Sequence, residues 1–288
     1  MTFSLGIAVL VGITLIWGST FVVIKDTLDT VSVPLLLALR FSMAALLLVW
    51  VRPRRATLRP SLLLGLLAFA GFATQTIGLS STSASKAAFI TGLSVILTPL
   101  LGAIWLRTRI PQRAYVAACL ALAGLGLMTL TSVQGVNSGD VWVVVTAFAY
   151  ACYILYLGRI AAQHSALTLG AMQLWPMALL AWVWALPEAG QLARLPLSSY
   201  GAIFYLALVA TALVNVLQTY AQRVVPAHVA ALIFVLEPLF AALFAYLLLG
   251  ERLGPFGWLG GALIVVAMLV GEIRPKRWRL GRRRSAGD

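Results

Sequence analysis

Residues 88–100 read AFITGLSVILTPL and residues 227–239 read AHVAALIFVLEPL, so one pattern occurs twice along the chain. Pro99 and Pro238 align in this comparison and lie 139 residues apart. Self-similarity at so long a period predicts a protein built from two related halves. Two further matches fall in the same order along both halves: Gln75-Thr76 with Gln218-Thr219, and Arg40-Phe41 with Gln173-Leu174.

The composition places both halves in a membrane. Of the 288 residues, 61% are hydrophobic and 10% are charged, whereas soluble domains carry about 45–50% and about 25%. Because a bilayer-spanning helix needs about 20 apolar residues, we predict an all-α integral membrane protein with ten transmembrane helices and no soluble domain. The predicted spans are 5–24, 33–51, 61–79, 87–106, 114–131, 141–158, 169–187, 200–220, 229–249 and 254–271.

The ten spans divide into two sets of five, in residues 1–135 and 136–273, followed by a basic tail over 274–288. Because five is an odd number, the second half enters the membrane from the opposite face. The sequence therefore predicts an inverted repeat. Two similar halves of opposite orientation can exchange conformations, which opens a central cavity first to one side of the membrane and then to the other. A channel or a membrane enzyme does not need this arrangement, and a duplication that merely stabilises a helical bundle is the plainer alternative.

The positive charges indicate the orientation of the helices. The net charge is +13, which in a soluble protein would suggest nucleic acid, but the cations lie in short loops. Sixteen of them fall in the loops after even-numbered helices and in the tail, and four fall in the loops after odd-numbered helices. Since cytoplasmic loops retain cations, we expect both termini in the cytoplasm and the lipid bilayer, rather than nucleic acid, as the surroundings of the protein.

Motifs for other functions are absent from the sequence. Cys119 and Cys152 lie within apolar spans, without metal-ligand spacing, and no zinc-protease, nucleophile-elbow or phosphate-loop pattern occurs. We therefore predict no enzyme activity, no cofactor, no metal and no obligate protein partner. The N-terminal run is too long for a cleaved signal and is predicted to be a retained first helix.

Three stretches resemble the ten-helix, EamA-type branch of the drug/metabolite transporter superfamily. They are WGSTFVVIK at residues 17–25, LRF at residues 39–41, and LEPLFAALFAYLLLGERL at residues 236–253 with GGA at 260–262. The resemblance implies ten helices, an inverted repeat and export or exchange of small metabolites. Within the superfamily, the chain looks most like bacterial exporters of hydrophobic or aromatic amino acids. Export of drugs or of other metabolites is the alternative that the same motifs allow.

Ionisable groups inside the spans are the first candidates for function, because they are costly in hydrocarbon. Arg40 could hold a substrate carboxylate, or it could tie helix two to its neighbours, which we favour. Glu237, directly before Pro238, could carry a proton or brace a helix kink. Pro99 and Pro238 mark possible gating points. Lys25 and Lys86 are interpreted as solvated loop residues.

Neutral polar and aromatic side chains are the candidates for substrate binding. A zwitterion in a low-dielectric cavity needs hydrogen-bonding partners for both of its charged ends, but a fixed charge in the wall would hold it permanently. We expect the cavity to lie between helices one, three, four, six, eight and nine, with helices five and ten bracing the periphery. The amides could instead form bonds between helices, and the aromatic rings could serve only packing. The predicted substrate-binding residues are Trp17, Phe21, Gln75, Tyr150, Gln173, Trp175, Asn215 and Gln218.

Overall fold

The computed structural model of the protein describes residues 1–105, 112–130 and 136–272. Over these ranges the regular secondary structure is entirely helical. Arg107 and Arg109, and the basic tail predicted at 274–288, lie outside the described residues. The α-helices are α1 Phe3–Thr27, α2 Val33–Leu47, α3 Arg55–Ser81, α4 Ala84–Thr91, α5 Ser94–Trp105, α6 Gln112–Leu130, α7 Ser138–Ile160, α8 Ala166–Met172, α9 Leu174–Ala185, α10 Leu197–Ala207, α11 Val214–Gln222, α12 Ala227–Phe234, α13 Leu236–Leu249 and α14 Pro255–Glu272.

Much of the chain folds into helical stretches that are long and apolar enough to cross a membrane, which makes it a multi-pass membrane protein. Seven stretches meet that requirement in the described part of the chain, some of them formed by two consecutive helices. Two further apolar helices, Val33–Leu47 and Pro255–Val270, are shorter. The seven stretches are Phe3–Thr27, Arg55–Ser81, Ala84–Trp105, Ser138–Gln163, Ala166–Arg194, Leu197–Gln222 and Val229–Leu249.

In the part of the chain that the structure describes, four of the predicted spans are interrupted, where the sequence predicts continuous helices. The α8/α9 break at Gln173 and the α12/α13 break at Val235 each lie three residues before a proline, Pro176 or Pro238. A proline lacks the N–H that would bond the carbonyl four residues earlier, so the helix is weakest there. The third break lies between α4 and α5, and a π-helical segment, Leu208–Leu213, separates α10 from α11.

The helices pack in pairs that bring the two halves of the chain together. The main contacts join α1 to α13, α2 to α9, α3 to α7 and α6 to α14. Small residues permit the close approaches: a Cβ added at Gly18 would lie 2.6 Å from Cβ of Phe240, and one added at Gly124 would lie 2.6 Å from the carbonyl oxygen of Gly260. Helices α6 and α14 therefore form a tightly packed pair.

Candidate substrate-binding cavity

A cavity lies between the two halves, where the broken helices meet α1, α3, α7 and α11. Its walls come from the same spans that the sequence analysis assigned to a binding site. The volume available to water-sized molecules is about 50 Å³, which is room for a few waters, so a solute of amino-acid size requires the walls to separate. Six of the predicted site residues line this cavity: Trp17, Gln75, Tyr150, Asn215, Gln218 and Glu237.

Trp17 forms an aromatic wall of the cavity with Phe234. Their ring centroids lie 5.4 Å apart at an interplanar angle of 57°. Gly18 packs α1 against α13 and holds Trp17 at this position, while the Thr20 hydroxyl donates to the Trp17 carbonyl at 2.7 Å. Trp17 is thus a large apolar surface on a firmly packed helix.

The amide side chains are anchored in hydrogen bonds at the cavity wall. Gln75 donates to the Thr91 hydroxyl at 3.3 Å, and Gln218 donates to the Gln222 carbonyl oxygen at 3.1 Å. Asn215 is a weak acceptor from Tyr153, at 3.5 Å. Since an amide has two donors and two acceptor lone pairs, each retains hydrogen-bonding capacity for a bound solute.

Glu237 is the carboxylate in the cavity wall. It lies in the first turn of α13, directly after the helix break, and is partly exposed to the cavity. Within the three described ranges, no group forms a hydrogen bond or ion pair with it. A carboxylate in this position can accept a proton or an ammonium group, and the bracing bond that the sequence analysis offered as its alternative role is not formed.

Arg40 lies behind the cavity wall, not in it. Its guanidinium is 4.5 Å from the centroid of Phe72, which lines the cavity, and its Nε donates to the Thr211 hydroxyl at 2.7 Å. Thr211 belongs to the π-helical segment and donates in turn to the Leu206 carbonyl at 2.7 Å. Arg40 therefore ties α2 to the interruption that precedes α11, which is the structural role favoured from the sequence.

The other predicted site residues lie away from the cavity. Phe21 is fully buried in a core cluster around α1 and α2, and Gln173 is buried at the α8/α9 break, where it accepts from the Tyr153 hydroxyl at 3.0 Å. Trp175 is 42% exposed and faces outward. Pro99 and Pro238 lie in α5 and α13 near the helix breaks and do not line the cavity.

Several lining residues were not among the predicted site residues, and Phe72, Thr91 and Phe234 are three of them. Helical spacing contained a signal for Phe72, because it lies three residues before Gln75 in α3. Residues three apart share a helix face. No comparable signal marks Thr91, which enters the cavity because α4 ends there.

The interpretation of Lys25 and Lys86 as solvated loop residues is wrong. The Lys86 side chain is 3% exposed and its Nζ lies 2.7 Å from Oδ2 of Asp140, a residue of α7. Lys25 donates to the backbone carbonyls of Leu79 and Thr82 at 2.8 and 2.9 Å. Both lysines lie at the ends of buried helices, where polar groups left by the helix termini need partners.

Asp140 is the centre of this polar cluster. One of its oxygens accepts from the Thr82 hydroxyl at 2.8 Å, and the other accepts from the Asn137 backbone as part of a capping box at the start of α7. Nearby, the carboxylate of Glu251 caps α4 through the backbone N–H groups of Ala84 and Ser85 at 2.8 and 3.0 Å. These bonds join α3, α4 and α7 to the loop that follows α13.

Thr211→Val is expected to destabilise the protein by about 1.5–3 kcal/mol, because it leaves the Arg40 Nε without its acceptor. Thr211→Ser keeps the hydroxyl and is the matched control, expected to cost much less. Unfolding of the purified, detergent-solubilised variants measures the difference. Equal stability of the valine and serine variants would contradict the assignment of this bond.

Apolar helices around an internal cavity of aromatic rings, amides and one carboxylate define a multi-pass membrane protein with polar groups at its centre. In the described residues, no group of three or more histidine, cysteine, aspartate or glutamate side chains is placed to bind a metal ion. The chain belongs to the EamA-like transporter family, whose model matches residues 4–130 and again residues 137–270. It is therefore a membrane transporter, and the family name describes a transporter and not an enzyme.

Relatives of known sequence agree with this assignment. Two proteins of Archaeoglobus fulgidus, each named "Uncharacterized transporter", are 27% identical to the chain. The alignments cover 94% and 88% of this chain, and 86% and 92% of those proteins. A solved crystal structure shares the fold with a TM-score of 0.63 at 16% identity, over 91% of this chain and 94% of that one.

Proposed function

We propose that this transporter is an inner-membrane carrier that exports hydrophobic or aromatic amino acids and related small metabolites by alternating access. The observation that supports the proposal is the wall of the cavity. Trp17, Phe72 and Phe234 offer an apolar surface for a side chain, while Gln75, Asn215 and Gln218 offer neutral donors and acceptors for a polar end. A zwitterion with an apolar side chain needs this combination of groups.

The alternating movement requires two related halves, which we propose are inverted five-helix repeats over residues 1–135 and 136–273, giving ten transmembrane spans. Two observations support this. The family model matches the chain twice, once in each half. Helices at equivalent positions of the two repeats also contact each other. Helix α2, the second predicted span, packs on α9, which belongs to the seventh span. Helix α6, the fifth span, packs on α14, the tenth span. A pseudo-twofold axis in the membrane plane would produce both contacts.

We further propose that both termini lie in the cytoplasm. The sequence assigns four cations to the outer loops, and the side chains of two of them, Lys25 and Lys86, bond to carbonyl groups and to Asp140. Arg194 and Arg252 are exposed. Two of the four cations assigned to the outer loops are thus held by contacts within the protein, which supports the same orientation.

The test is a counterflow assay on purified protein in liposomes, with a panel of amino acids and other small metabolites. Flux of one or more hydrophobic or aromatic amino acids should saturate with concentration and should be accelerated by unlabelled solute on the opposite side. A pore would give flux that does not saturate. Saturable exchange confined to solutes that are not amino acids would contradict the substrate assignment.

Trp17→Ala is expected to raise the concentration of aromatic amino acid that half-saturates counterflow by about tenfold, because it removes an aromatic wall of the cavity. Trp258→Ala removes a tryptophan that is 58% exposed and is the matched control, expected to leave transport unchanged. If the two variants transport every amino acid of the panel equally well, the binding site lies elsewhere.

A further inference from the structure

A second concave surface, separate from the central cavity, lies beside the start of α3. This groove, which we call the Ser61 groove, has a volume of about 570 Å³ and is open to the surroundings. It lies between the loop after α2, the first turns of α3 and the junction of α8 with α9. None of its lining residues lines the central cavity. Its walls include Val51, Leu58, Leu62, Met172 and Trp175, and Ser61 lies among them.

Positive charge borders this apolar groove. Arg52 and Arg54 alternate with groove residues Val51 and Pro53, and Arg55 and Arg59 flank Leu58 in the first turns of α3. All four arginines are exposed, and no carboxylate within the described ranges forms an ion pair with any of them. The N-cap residue of α3, Arg54, makes no side-chain capping bond.

Ser61 gives an independent sign that a polar group belongs in the groove. Its side chain is buried, with the residue 2% exposed, and its hydroxyl has no hydrogen-bond partner among the residues that the structure describes. By contrast, the Thr57 hydroxyl, one turn earlier, donates to the Arg54 carbonyl at 2.7 Å. A buried hydroxyl without a partner is unusual in a folded protein, and a bound ligand that carries an ester or phosphate oxygen would satisfy it.

Trp175 adds an exposed tryptophan ring to the wall of the Ser61 groove. The sequence analysis placed this residue in the substrate site, but 42% of it is exposed, at the wall of the Ser61 groove. Tryptophan side chains concentrate at membrane interfaces, where one part of the ring contacts acyl chains and the N–H meets the polar headgroups. The groove therefore combines apolar walls, an interfacial tryptophan and a cationic border.

We propose that the Ser61 groove is a binding site for one anionic phospholipid. An acyl chain lies along Leu58, Leu62 and Met172, the glycerol ester region reaches the Ser61 hydroxyl, and the phosphate headgroup lies at the arginines. Basic pockets beside transmembrane helices bind anionic headgroups in this way, and each arginine near the surface adds to the attraction. A zwitterionic lipid of the same chain length would fill the groove but gain less from the four cations.

Native mass spectrometry of the full chain in detergent tests the proposal. The probes are phosphatidylglycerol and phosphatidylcholine with identical acyl chains. The parent protein should retain phosphatidylglycerol at least about tenfold more tightly, because one arginine near the surface contributes roughly fivefold and two of the four already exceed tenfold. The variant R52Q/R54Q/R55Q/R59Q should bind both lipids equally. The matched control R279Q/R282Q/R283Q/R284Q removes four tail cations and should keep the preference.

A second variant tests the contribution of the groove to lipid binding separately from that of the arginines at its border. Ser61→Ala preserves every arginine and should lower phosphatidylglycerol retention severalfold without changing transport. Equal retention of both lipids by the parent would overturn the proposal, even if the arginine variant fails to fold. Three further results would also overturn it: an equal loss in the tail variant, unchanged retention by Ser61→Ala, or complete displacement of the lipid by inorganic phosphate.

Discussion

Asp140→Ala is expected to lower the free energy of unfolding by about 3–5 kcal/mol, because it leaves the buried Lys86 ammonium without its carboxylate. Both side chains are less than a tenth exposed, so water cannot replace the lost partner. The change also removes the acceptor for the Thr82 hydroxyl and one half of the capping box with Asn137 at the start of α7. Unfolding of the detergent-solubilised variant, compared with the parent, measures the effect.

Two further variants distinguish the loss of the Lys86–Asp140 ion pair from the effect of removing any carboxylate. Asp29→Ala removes an exposed aspartate and should change the stability by less than about 0.5 kcal/mol. The double variant Lys86→Met/Asp140→Ala removes both charges and should recover a large part of the loss, because the buried ammonium is removed together with its carboxylate. A double variant no more stable than Asp140→Ala would show that the lost hydrogen bonds, and not the charge pair, account for the effect.

Much of the fold could be predicted from the sequence, because bilayer-spanning helices have a simple signature of length and composition. Gln75, Asn215, Gln218 and Glu237 could be identified as cavity residues for a related reason, since polar groups in a span are few and have little reason to face lipid. Trp17 stood out as an aromatic residue far from either interface, followed by small residues.

The residues that were wrongly predicted to line the cavity lie near helix breaks, and helical periodicity is lost at such an interruption. Gln173 lies at the α8/α9 break and Trp175 just beyond it, so extrapolation along a continuous helix gave both the wrong direction. The π-helical segment before α11 likewise inserts extra backbone between α10 and the cavity residues. Lys86 looked like a loop residue because its partner, Asp140, is 54 residues away, and a long-range ion pair leaves no local pattern.

Glu237→Gln is expected to abolish the pH dependence of transport while leaving counterflow within about twofold of the parent. The carboxylate faces the cavity and has no partner in the described ranges, so it can exchange a proton with the side to which the cavity is open. Glutamine keeps the size and the hydrogen-bonding oxygen but cannot take up a proton. A pH gradient across liposomes should therefore drive solute accumulation in the parent and none in the variant.

The distinction between the two readouts decides the role of the carboxylate. Counterflow needs only the binding site and the alternating movement, whereas gradient-driven accumulation also needs a group that carries the proton across. Asp26→Asn, which neutralises an exposed carboxylate at the end of α1, is the control and should preserve both readouts. If parent and Glu237→Gln show the same rates at every pH, Glu237 is not the proton carrier. If the variant instead loses counterflow together with accumulation, the carboxylate binds the solute directly, through its ammonium group.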